Sequence, residues 1–150
     1  MLDLLPLHPM LVHFPIALLF TSVLFDAAGA WFKRNSFRDG ALWLLILGLL
    51  GGVAAAIAGE KAGIAESMIE THETLAFVTL GIFGVLLFGR LVMRNQFMRK
   101  IPVPYFLIAA FGLGTLSATG HYGGVLVYEQ RAGVAMAHTA RPNVAEHTRQ

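Results

Sequence analysis

The residues in this chain best suited to chemistry are its imidazoles. There are six histidines and no cysteine. Without cysteine there is no disulfide, no thiolate zinc site, no Cys-ligated iron–sulfur cluster and no CxxCH haem attachment. Neutral imidazole remains the commonest nitrogen ligand for metals and haem. The chain carries no GxSxG, HExxH or P-loop pattern, so a non-enzymatic electron-transfer or membrane subunit is the better reading than an enzyme. His8, His13, His72 and His121 lie in or beside apolar segments, whereas His138 and His147 lie in a polar tail and read as solvated.

The elements that must position these rings are set by charge. Hydrophobic residues make up 56% of the 150 residues and charged residues 13%, far from the roughly 25% charge of a soluble domain. Residues 4–25, 41–59, 74–89 and 101–128 contain no Asp, Glu, Lys or Arg. About 20 residues of helix cross a hydrocarbon core of about 30 Å. The spacing predicts spans over 10–32, 40–59, 72–93 and 103–122, within a four-span unit over 1–128 and a polar outward tail over 129–150. A chain crossing lipid must satisfy its own backbone, so the spans are helices. The expected fold is an all-α, integral-membrane, four-helix up-and-down bundle.

Orientation follows from the loops. Lys33, Arg34 and Arg38 fall in the first, and Arg90, Arg94, Arg99 and Lys100 at the third; these are seven of the eleven basic residues. The second loop, 60–73, has Glu60, Glu66, Glu70 and Glu73 against Lys61 alone. The positive-inside rule puts the two basic loops in the cytoplasm and both termini outside. The expected location is the bacterial inner membrane, multi-pass, with the lipid bilayer as first partner. The basic residues fall where topology wants them, so nucleic acid is not a partner. The N-terminal stretch lacks the basic n-region of a cleavable signal peptide. Trp31 and Trp43 flank the first basic loop as interface anchors would.

Four histidines then share the outward side. His13 lies 19 residues from Phe32, His121 lies 18 from Val103 and His72 lies 21 from Met93. At about 1.5 Å per residue these are about 28, 27 and 31 Å, so three helices bring an imidazole to one level. One turn inward lie Ala17, Ala76, and Ser117 with Ala118, small residues that leave room for a flat ring; Thr79, Phe83 and Gly114 continue the same faces. Spans one and three are diagonal in such a bundle, at roughly 11–14 Å if neighbours stand about 8–10 Å apart. That gap suits two imidazoles clamping a haem iron. The preferred axial pair is His13 with His72, holding haem b. His121 with His8 is left to serve a second haem, a propionate, or one place in the pair. A non-haem metal site on the same histidines and a cofactor-free structural subunit are the alternatives.

Other residues qualify this reading. Pro15 frees the carbonyl of Leu11 and disfavours helix at Phe14, so His13 is expected on a kinked or irregular first turn. Glu60 is placed to accept a hydrogen bond from a ligand ring. Asp26, the carboxylate inside a span, stands about 20 Å from His13 and so belongs elsewhere. It is expected to pair with Arg90 or Lys33, so that Asp26→Asn lowers stability modestly. Arg90 can alternatively snorkel to the interface. Gly48, Gly52 and Ala56, then Ala55, Gly59 and Gly63, and Ala110, Gly114 and Ala118 have the small-xxx-small spacing of close helix packing, with a homo-oligomer left open.

The segments LHPMLVHFPIALLF and GHYGGVLVY resemble the two signature segments of a family of small bacterial membrane proteins, domain of unknown function 2231. The resemblance covers roughly residues 5–135. It implies a four-span unit with these segments at its two ends, carried here by His8, Pro9, His13, Phe14 and Pro15, and by Gly120, His121, Gly123, Gly124 and Tyr128. His72 occupies a plausible equivalent place. Family members stand beside Rieske-type and cytochrome modules, which implies an electron-transfer setting with a cytochrome, a Rieske protein or quinone as redox partner.

Overall fold

The computed structural model describes residues 7–58, 66–99 and 101–139. Five helices follow in order: α1 (Leu7–Trp31), α2 (Asn35–Ala58), α3 (Glu66–Val92), the short α4 (Arg94–Arg99) and α5 (Val103–Thr139). There is no strand among the described residues. The four long helices contain segments long and apolar enough to cross a membrane, Val12–Trp31, Asn35–Ile57, Glu70–Val92 and Val103–Val125. Glu60, Gly59, Gly63, Lys100 and the tail from residue 140, with His147, lie outside the described residues. His8 and His138 belong to α1 and α5 by backbone; their side chains also lie outside what is described.

The helix boundaries have local causes. Lys33 has φ of 53°, a left-handed turn that reverses the chain between α1 and α2 within three residues. Pro102 precedes α5 and Pro104 stands in its first turn, where a missing N–H costs nothing. Contrary to the expected irregular turn, α1 runs as continuous helix through Pro15. Pro15 is buried against α2, where methyls built on Gly51 and Gly52 would sit 3.6 and 3.9 Å from it. Tertiary packing holds it in helix despite the lost hydrogen bond.

α1 packs most extensively on α2, and α3 on α5; the α2–α3 and α1–α5 seams are thinner. The molecule is therefore two antiparallel hairpins laid side by side, with α1 and α3 diagonal. Each helix buries one stripe: Pro15, Leu19, Ser22 and Asp26 on α1; Arg38, Ala41, Leu45 and Gly48 on α2; Thr79, Phe83, Leu86 and Arg90 on α3; Tyr105, Ala109, Gly112, Leu116 and Thr119 on α5. The opposite faces expose Phe20, Leu24, Trp43, Leu50, Phe77, Phe88, Leu107 and Phe111. An apolar exterior around a partly polar interior suits a lipid solvent. Close backbone approach holds the first hairpin. A Cβ on Gly48 would stand 2.8 Å from Leu19; across the α2–α3 seam, outside that hairpin, one on Gly52 would stand 2.6 Å from the side chain of Leu80. A methyl on Gly114, by contrast, meets nothing within 4 Å.

Candidate functional site

The histidine-bearing end of the bundle is built from α1, α3 and α5. Ile16 stands beside Gly120, where a methyl would lie 3.7 Å from its Cδ1. His72 reaches α5 at Thr119 and Gly123. The antiparallel register therefore sets His13, His72 and His121 at one height in the bundle.

Their directions differ. His72 lies two turns before Thr79 on the buried stripe of α3, and is half-buried. Its Nδ1 is 3.1 Å from the carbonyl oxygen of Thr119. With the proton on Nδ1 the ring donates to that oxygen, which leaves the lone pair on Nε2. Gly123 leaves room beside it: a methyl there would sit 3.0 Å from His72 Cε1 and press on the ring. Below the ring, Thr119 Oγ1 donates to Thr115 O at 2.8 Å, and Thr79 Oγ1, 3.3 Å from Thr119 Oγ1, bonds Leu75 O at 2.7 Å. The ring thus tops a short hydrogen-bonded column between α3 and α5.

His13 is exposed, on the side of α1 opposite Leu19 and Asp26, in a row with Ala17, Phe20 and Leu24. His121 is exposed on the outer face of α5 with Ser117, Gly114 and Ala110, its ring 5.8 Å from that of Tyr122. Ala76 is half-buried one turn below His72. Among the described residues no three His, Asp or Glu side chains gather into a metal-holding group. One imidazole thus faces inward, and two at the same height face outward.

The most completely built polar centre is at the other end. Asp26 is 0% exposed and Arg90 4%. Arg90 Nη1 donates to both carboxylate oxygens of Asp26, and its Nη2 donates to the backbone oxygen of Arg38. Tyr105 donates its hydroxyl to Asp26 Oδ2 at 2.6 Å. Of the two partners expected for Asp26, Arg90 is the one taken, so Arg90 turns inward instead of snorkelling. Asp26 is too deep to reach water, and an isolated charge there would be far costlier than a pair.

Thr79 was legible in the sequence as a continuation of the histidine faces, whereas Tyr105, Thr119 and the Arg38 carbonyl are neighbours that sequence reasoning missed. Tyr105 carried one usable signal, a polar aromatic just past Pro102 at the height of Asp26. A backbone carbonyl carries none.

No curated protein and no solved structure matches the chain. A family model described as "Predicted membrane protein (DUF2231)" matches residues 4–136. That match takes in both histidine-bearing segments, all four apolar spans and every member of the Asp26 centre. On this match the chain belongs to the family of predicted membrane proteins designated domain of unknown function 2231.

Proposed function

We propose that this protein is a multi-pass subunit of the bacterial inner membrane that holds haem b at its outer level for electron transfer. Both termini would face the periplasm, with a cytochrome, a Rieske protein or quinone as redox partner. The observation that carries the reading is His72. Its Nδ1 is held by the Thr119 carbonyl and Gly123 clears space for its ring. Proteins orient a ligand imidazole in this way, through a backbone acceptor on the nitrogen that does not bind the metal. The basic loops at 33–39 and 94–102 support the orientation. Haem b, when bound, supplies one-electron transfer at a potential set by its axial ligands.

The fit is one-sided. His72 suits an axial role. His13 and His121 share its height but lie on outward faces, so a single chain does not gather the His13–His72 clamp as described. Those two outward imidazoles are also the observation that favours the second reading, a membrane subunit without a cofactor. A non-haem metal site lacks a gathered ligand set among the described residues.

A visible spectrum of the protein expressed with ample haem tests the proposal. A low-spin haem spectrum is expected, abolished by His72→Ala and unchanged by His138→Ala. Loss in His13→Ala or in His121→Ala names the second ligand. A colourless, folded wild-type protein overturns the haem reading and leaves the cofactor-free subunit.

A further inference from the structure

The Asp26 centre draws one group from each long helix: Asp26 from α1, the Arg38 carbonyl from α2, Arg90 from α3 and Tyr105 from α5. It bridges the thinner seams, α1–α5 and α2–α3, across which the two hairpins meet. The His72–Thr119 and Thr79–Thr119 contacts, by comparison, both lie inside the α3–α5 hairpin.

Phe97 of α4, with Ile101, covers this centre from the side of the basic loops. Phe97 is 4% exposed although its neighbours Arg94 and Asn95 are exposed. Its ring meets Tyr105 edge-on at 5.0 Å between centroids, and Arg90 Cζ lies 5.8 Å from its centroid. Ile101 is 5% exposed beside it. An aromatic face over a guanidinium is favourable in itself, and it also takes the place water would occupy. The centre needs such cover. Arg90 stands two residues from the end of α3, about 3 Å of helix, and Tyr105 two from the start of α5. Solvent is therefore close at hand.

We propose that Phe97, presented by α4, is a water seal over a dry electrostatic clasp that fastens the α1–α2 hairpin to the α3–α5 hairpin. Coulomb attraction between the same charges falls about fourfold when the effective dielectric rises from about 20 to about 80. Admitting water at Phe97 thus loosens the clasp without removing either charge. α4 is in this view a conformational device: its docking closes the basic-loop end of the bundle, and its displacement releases the hairpins from one another. The inference does not depend on haem and is tested separately from it.

The absence of cysteine gives a clean probe. Ala109 is 0% exposed and lies one turn beyond Tyr105, behind the seal. Ala109→Cys in the full-length protein, in nanodiscs where both faces meet solvent, is treated with a charged methanethiosulfonate. With Phe97 present, modification is expected to be slow. Adding Phe97→Ala should speed it at least about tenfold through local opening, and lower the unfolding temperature, while Phe97→Leu should keep the slow rate. If Phe97→Ala does not accumulate as folded protein, Phe97→Val serves, with at least about a threefold rise expected. Fast modification with Phe97 in place overturns the proposal. So does an unchanged rate in the folded alanine or valine variant.

Discussion

Removing one charge of the Asp26–Arg90 pair should cost far more than removing both. Asp26 is 0% exposed and lies five residues from the end of α1, about 8 Å of helix from the interface. In Arg90→Leu the carboxylate is left buried with only the Tyr105 hydroxyl as donor, and the cost should approach about 5 kcal/mol, the upper end for a broken buried pair. In Asp26→Leu the stranded cation is only about 3 Å from the helix end and can reach toward water, so about 3 kcal/mol is expected. The double variant buries no charge. It leaves the Tyr105 hydroxyl without its carboxylate acceptor, worth about 1 kcal/mol. Its cost should therefore fall at least about 4 kcal/mol short of the sum of the singles. Asp26→Asn keeps an acceptor for Tyr105 and should sit near the Asp26→Leu value, above the modest loss that sequence alone suggested, because the pair is fully enclosed. Reversible unfolding in mixed micelles, followed by fluorescence of Trp31 and Trp43, measures all four. Single costs below about 1 kcal/mol, or a double variant that merely adds, would refute the reasoning.

Two further outcomes follow from the same structure. Gly48→Ala drives a methyl to 2.8 Å from Leu19 and should destabilise by about 1–3 kcal/mol, while Gly114→Ala meets open space and should change stability by less than about 0.5 kcal/mol, both read by the same unfolding assay. For orientation, a cysteine at Ser36, exposed in the first turn of α2 beside the basic residues, should resist an impermeant thiol reagent in intact cells and react once the membrane is opened; labelling in intact cells would invert the topology.

Much of the architecture was legible because lipid leaves so few options. Four uncharged stretches, with backbone that must bond internally, read as four helices, and the register of basic and acidic loops read as antiparallel neighbours. The common height of His13, His72 and His121 also came from counting residues, since helical rise is constant. The partner of Asp26 could be narrowed to two cations by depth alone.

What the sequence could not supply was direction around each helix axis. In a soluble helix the apolar stripe marks the inner face, but here lipid and core are equally apolar, so hydrophobic periodicity no longer points inward. His13 and His72 consequently looked alike in sequence, and only the docking of the helices turned His72 toward Thr119 and Gly123 and His13 away from the core. The same docking chose Arg90 over Lys33 for Asp26, recruited Tyr105 and the carbonyl of Arg38, and laid Phe97 over them. Length, charge and composition determined how many helices there are and where each polar group sits in depth. Close contacts at Gly48, Gly52 and Gly112 set how the helices are rotated against one another, and hence which polar groups meet.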